Sequence, residues 1–337
     1  MRYLFFVLIA LLMTNCADSK LEQPSTKTTA KLISNTIPSS KKFMGEPLYV
    51  SYDFGSTWEN AGKGLPDSIG VSKLGRIGNH QGMAAVNNEI VLATMNDGIY
   101  IKKEGAENWQ QIGAELPRKQ IHRLHIEDED IYVGIYEEGI FKTIDKGEKW
   151  INLTYNLSDL RIQSMTTING QLLAGTDVGI FKLNEQQKRW KKVYNDVQIN
   201  SLDVFQGKLI AGHRKGIVLS KDQGETWEWI YENDNTRKAI ILDNKIAASH
   251  FGVDLSFSDN LGQTWQPAFY LSNSKFSVNN IVQVGKVLLM STGTGIYRSE
   301  DNGVTWILLH ELDRMSWLGD FLVSGKVIYL GAGMGGC

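Results

Sequence analysis

The chain has 337 residues, with 35 Lys and Arg against 37 Asp and Glu and a formal net charge of −2 at pH 7. That balance lacks the basic surplus of a nucleic-acid binder. Its two cysteines, Cys16 and Cys337, lie near opposite ends, so packing and not a disulfide framework must hold the fold.

Met1 and Arg2 precede an apolar stretch, Tyr3 to Met13, that is too short to cross a bilayer as a mature helix and reads as a signal-peptide hydrophobic region. It ends in Thr14-Asn15-Cys16, which resembles a bacterial lipoprotein cleavage box, with Met13 and Asn15 standing where Leu and a small residue are commoner. The resemblance implies a signal peptide over residues 1–16, a lipid on Cys16, and anchorage to a membrane of the bacterial cell envelope, periplasmic or at the cell surface. Residues 17–42 are rich in Ser, Thr, Lys and Pro, show no apolar periodicity, and read as a flexible tether of charge +3, five Lys against Asp18 and Glu22. Residues 43–337 hold 29 cationic against 35 acidic side chains, or −6, and read as one folded domain.

Seven tryptophans punctuate that domain: Trp58, Trp109, Trp150, Trp190, Trp227, Trp265 and Trp306. Their gaps of 51, 41, 40, 37, 38 and 41 residues bracket the 40–45-residue period of a β-propeller blade. Upstream of several tryptophans a loop glycine opens an apolar stretch, as in Gly98-Ile99-Tyr100, Gly139-Ile140-Phe141, Gly179-Ile180-Phe181, Gly216-Ile217-Val218 and Gly295-Ile296-Tyr297. The unit carrying Val253-Asp254-Leu255-Ser256 lacks that glycine. Each unit therefore reads as four short strands. Six complete units fit between residues 71 and 314. The remainders, Pro47–Glu59 with two strands and Met315–Gly333 with two, predict a seventh blade closed by strands from both termini, because an open ring would leave exposed edges. The predicted fold class is all-β, a seven-bladed β-propeller.

Five tryptophans end a recurrent octapeptide: Ser51-Tyr-Asp53-Phe-Gly55-Ser-Thr57-Trp58, Thr143-Ile-Asp145-Lys-Gly147-Glu-Lys149-Trp150, Ser220-Lys-Asp222-Gln-Gly224-Glu-Thr226-Trp227, Ser258-Asp-Asn260-Leu-Gly262-Gln-Thr264-Trp265 and Ser299-Glu-Asp301-Asn-Gly303-Val-Thr305-Trp306. A hairpin turn needs a short acceptor for nearby N–H groups and a residue that tolerates positive φ, which Asp and Gly supply. Asp53, Asp145, Asp222 and Asp301 are accordingly read as structural. The copies before Trp109 and Trp190 have lost these residues. The octapeptide resembles the Asp-box, or BNR repeat, of sialidases, sortilin-type receptors, some glucan hydrolases and the photosystem II assembly-factor propellers. The assembly factors resemble this chain further in blade number and layout, which implies a non-catalytic envelope propeller that binds a protein partner.

The alternative is a carbohydrate-active protein, either a glycan binder or a glycoside hydrolase. A sialidase resemblance fails in detail: Arg76-Ile77-Gly78 lacks the proline of the family's arginine motif, and no other arginine falls at an equivalent place. Glycoside hydrolysis needs two facing carboxylates. Asp97, Glu137, Glu138 and Asp177 could supply them, but no spacing selects a pair.

Propeller topology places inner-strand starts and second-to-third-strand loops on one face, opposite the octapeptide turns. That assigns a candidate partner-binding face to His80, His122, Arg123, Tyr136, His213, Arg214, Arg237 and His250. Imidazole and guanidinium groups at a concave mouth suit an anionic, glycan or acidic protein ligand; loops are also polar everywhere, and four histidines can fall there by chance. No spacing marks a metal site, no cofactor or catalytic residue is assigned, and the protein is expected to be a monomer. Trp317 lies outside the repeat and is expected near the same mouth.

Overall fold

Short alternating stretches punctuated by Asn, Gly and Asp form nothing but strands and turns in the computed structural model, which describes residues 31–33, 48–65, 82–94, 97–117, 120–195, 197–233, 236–243, 245–250, 254–270, 278–293, 295–311 and 316–334. Cys16, His80, the Arg76–Gly78 stretch and Cys337 lie outside the described residues, as do most of the segments expected as signal peptide and tether.

Seven antiparallel sheets form the ring. In chain order, the inner strands of the first six are Met83–Val86, Ile121–Glu127, Ile162–Ile168, Ile199–Phe205, Thr236–Ile241 and Val278–Val284. Each inner strand is followed by three more that step outward. The seventh sheet has the order Ser316–Ser324, Val327–Met334, Leu48–Ser51, Glu59–Asn60. Leu48 pairs with Gly331 and Val50 with Tyr329, so the composite closing blade joins both ends of the domain as expected. Among the described residues, no helix is long and apolar enough to cross a membrane.

Lys31–Ile33, within the stretch expected as a tether, adds a strand outside the sixth sheet, parallel to Thr305–Glu311, with Leu32 opposite Trp306. The outermost strand of a blade has a free row of N–H and C=O groups, and any extended segment that reaches it can pair there.

The octapeptides fold into one repeated turn. In the Asp53 copy, the Thr57 amide donates to Asp53 Oδ1 at 2.8 Å, the Thr57 hydroxyl to Oδ2 at 2.7 Å, and the Gly55 amide to Ser51 Oγ at 2.9 Å. The same bonds recur around Asp222 and Asp301. Asn260 accepts from the Thr264 amide at 2.9 Å, and Asp145 from the Lys149 amide at 2.9 Å. The residue before each glycine (Phe54, Lys146, Gln223, Leu261, Asn302) also has φ between 56° and 63°, so two successive left-handed residues make a type I′ turn.

The indoles then pin blades together. Trp190 Nε1 donates to Leu153 O at 2.7 Å, Trp265 Nε1 to Ile230 O at 2.8 Å and Trp306 Nε1 to Ala268 O at 3.3 Å, each reaching the preceding blade. Trp109 and Trp190, which end the two copies without the Asp and Gly, are both buried. The tryptophan's packing thus outlives the turn chemistry before it. Between neighbouring sheets lie the apolar clusters that carry the fold, such as Ile140, Phe181 and Trp190 between the second and third blades. Fully burying each such side chain contributes about 1.5–3 kcal/mol.

Candidate functional site

Each of five inner strands contains a register shift near its start: between Ile121 and Arg123, Ile162 and Ser164, Ile199 and Ser201, Thr236 and Lys238, and Val278 and Asn280. A bulge bends a strand and re-aims its side chains. Here the bulged residues are His122, Gln163, Asn200, Arg237 and Asn279, a polar ring at the mouth of the channel. Asn200 Nδ2 donates to Arg237 O at 2.8 Å, and Arg237 to Val278 O at 3.1 Å, so the ring stitches successive blades. Gln163 Nε2 donates to Asp177 Oδ1 at 2.8 Å, and Arg161 bridges Asp177 at 3.0 Å and Asp159 at 3.1 Å.

The candidate residues divide by burial. His122 is half-buried, with its ring 5.0 Å from that of Tyr136 and its Nε2 3.2 Å from Gln120 Oε1. Burial, followed by the charge of Arg123, lowers its pKa, so the ring is neutral near pH 7. Arg214 is exposed, and Arg237 and Tyr136 are half-buried. These four belong to the accessible mouth.

Arg123, His213 and His250 do not, which corrects the expectation of a surface lined by all of them. Arg123 is 7% exposed; its guanidinium donates to the carbonyls of Gln163 and His122 and to Gln163 Oε1. His213 is 0% exposed, edge-on to Trp229 at 4.9 Å, with Nδ1 accepting from the Lys215 amide at 3.3 Å. His250 is also buried, with Tyr231 Oη 3.3 Å from its Nε2. Burial pushes both imidazoles down to about 4, so neither is a cation at neutral pH.

The reason lies in the repeat. Thr176 and Thr292 end their second strands and Thr94 directly follows its own, and each hydroxyl donates to the carbonyl of a glycine three or four residues on, closing the loop. His213 occupies the same place and closes its loop through Nδ1. Aligning the units on Gly98, Gly179, Gly216 and Gly295 would have exposed that equivalence.

Three residues carry chemistry that the sequence reading missed. Arg161 neutralises two rim carboxylates. Ser164 and Asp203 line the channel. Asp203 is the one carboxylate in Ile199-Asn-Ser-Leu-Asp203-Val-Phe, and its charge amid an apolar alternation was the available signal. Asp203 is itself exposed within the channel, and the desolvation imposed by the protein packed around it raises its pKa to about 6, against the lowering effect of the Val204 amide that donates to it at 2.8 Å. Among the described residues, no group of three or more His, Cys, Asp and Glu is placed to hold a metal ion. Side-chain contacts of Trp317 are not described.

Fold and mouth together define the class: an all-β, seven-bladed propeller with a polar, inter-blade-bonded channel mouth. No family model and no curated protein sequence matches the chain. Among solved structures it is similar to YCF48 from Cyanidioschyzon merolae, with a TM-score of 0.58 at 16% identity over 74% of this chain and 94% of that one. A structure of YCF48 bound to D1 peptide gives a TM-score of 0.60 at 15% identity, over 77% and 95%. The extracellular domain of the hybrid two component system BT4673 from B. thetaiotaomicron gives 0.61 at 15%, over 78% and 38%. At these identities the likeness is one of fold.

Proposed function

We propose that the protein is a non-catalytic Asp-box propeller, tethered to a bacterial envelope by lipid on Cys16, that binds a protein partner at the mouth bearing His122, Tyr136, Arg214 and Arg237. The observation that carries this reading is the state of two rim carboxylates: Asp159 and Asp177 both clasp Arg161, and Asp177 also accepts from Gln163, which withdraws Asp177 from the four carboxylates that could form a hydrolytic pair. A glycosidase needs a carboxylic acid and a carboxylate left available to substrate. A rim already cross-linked by its own charges suits a rigid docking surface, where little ordering cost is left at association.

YCF48 with a bound D1 peptide is a precedent for peptide binding on this fold, and the BT4673 domain, which is extracellular, supports an envelope location.

The test compares crosslinked capture from native envelope by the full chain and by a His122→Ala, Tyr136→Ala, Arg214→Ala variant. None of these positions is buried, so the variant is expected to keep its melting temperature and lose the partner. Equal capture by both proteins overturns the assignment of this mouth, and no capture by either turns the question to a polysaccharide panel. Cys16→Ala is expected to release the protein from membranes after a salt and carbonate wash.

A further inference from the structure

Below the mouth, on the ring axis, lies a chamber of about 170 Å³ lined by Arg123, Ser164, Ser201, Asp203, Lys238 and Asn280. A second space towards the octapeptide face shares Ile241, Ile281, Val282 and Phe321 with it, so an apolar collar floors the polar chamber. We propose that this chamber is a binding site for a small oxyanion, held between Arg123 and Lys238 with the Ser164 and Ser201 hydroxyls donating. This rests on the chamber and not on the rim, so it stands or falls apart from the partner reading.

The site is built by the repeat. Arg123, Ser164, Ser201, Lys238 and Asn280 are the residues that directly follow the five bulges, so one backbone device aims all of them alike. Behind the first three stand Gly134, Gly175 and Gly212, each paired with its partner in register. A Cβ at Gly175 would come within 2.5 Å of Ser164 Oγ, and one at Gly212 within 2.6 Å of Ser201 Oγ. The glycines thus make room for the hydroxyls.

Ser164 is 4% exposed and its Oγ has no hydrogen-bond partner, an arrangement that a bound acceptor would relieve. Ser201 Oγ accepts from the Ala239 amide at 2.9 Å, so its own proton can point inward. Arg123 and Lys238 are 7% and 4% exposed, and within walls of low dielectric their charges act strongly on an anion. The volume equals roughly five to six waters, room for a tetrahedral inorganic anion or a short dicarboxylate and too little for a sugar chain.

Three charged groups line the chamber: Arg123, Lys238 and Asp203. Asp203 lies two residues further from the mouth than Ser201 and repels an anion when ionised. Affinity is therefore expected to rise as pH falls through about 6 and the carboxyl takes up its proton.

The experiment is calorimetric titration of the folded propeller with sulfate and with malonate, in chloride at constant ionic strength. Saturable heat with sulfate alone points to an inorganic ligand, and with malonate alone to a carboxylate. Ser164→Ala and Lys238→Met are each expected to weaken binding by about tenfold. Asp203→Asn is expected to tighten binding and abolish its pH dependence, read with sulfate because that anion keeps its charge. If Lys238→Met does not fold, Ser164→Ala decides. The proposal is overturned by the absence of saturable heat from both anions in wild type and Asp203→Asn, or by affinities unchanged in the folded variants.

Discussion

Asp222 is held near a pKa of about 2, because the hydroxyl and then the amide of Thr226 donate to its carboxylate and Ser220 adds a third bond. A depressed carboxyl contributes stability that is present above its unfolded pKa, near 3.9, and is lost as pH falls through the folded value. Asp222→Ala is therefore expected to lower the melting temperature at neutral pH, with the gap to wild type closing in acid. Asp222→Asn should come much closer to wild type, since Asn260 makes the equivalent bonds in the fifth blade, its Nδ2 donating to Thr264 Oγ1 at 2.8 Å. Equal damage from both substitutions would show that the acceptor geometry is not what matters. This role was legible in the octapeptides, since spacing and residue type alone demanded a turn. The fate of His213 and His250 was not: loop position was readable, but whether a ring faces solvent or an aromatic depends on an outer strand, that of its own sheet for His213 against Trp229 and that of the preceding blade for His250 against Tyr231.

At the scale of a strand, the glycine that opens the third strand explains a signal seen five times in the sequence. Gly216 has φ 142°, and a Cβ there would stand 1.9 Å from the carbonyl oxygen of Tyr231 in the outer strand. Gly216→Ala is accordingly expected to destabilise the protein by roughly 2 kcal/mol or more, as measured by denaturant unfolding. A cost below the scatter of surface substitutions would mean that the outer strand shifts freely. The bulges belong to this scale too, and no sequence pattern disclosed them. His122-Arg123 and Arg237-Lys238 look like ordinary adjacent polar pairs, yet the extra residue sends the first to the mouth and the second into the channel wall.

The ring closes through contacts that span the whole domain. Phe321, Ile328 and Leu330 pack with Tyr49, Leu289 and Ile296 in one buried cluster, and Arg298 of the sixth blade donates to Ser56 Oγ at 3.0 Å in the closing blade's turn. Removing residues 316–334 takes away the inner half of that blade and exposes the faces of two neighbours. Loss of the single cooperative thermal transition is expected, and a truncated protein melting cooperatively at an unchanged temperature would sink the closure argument. Blade number and composite closure were both readable beforehand, because the tryptophan period and the two half-units left over are properties of the linear chain.

The sequence by itself determined the repeat, the strand count, the turns and the closure, since each depends on local spacing and on residues with few conformational choices. Only the tertiary structure decided which polar residues meet. Arg161 finds Asp177 within its own blade, because the hairpin of its first two strands returns the chain to the mouth. Arg123 instead finds Gln163 across 40 residues, and Asp203 shares a chamber with Lys238, because radial packing brings corresponding positions of successive blades together around one axis. Burial then sets their chemistry: the same imidazole titrates near neutrality in a wet loop and stays a neutral packing element behind a tryptophan, since desolvation penalises the charged form.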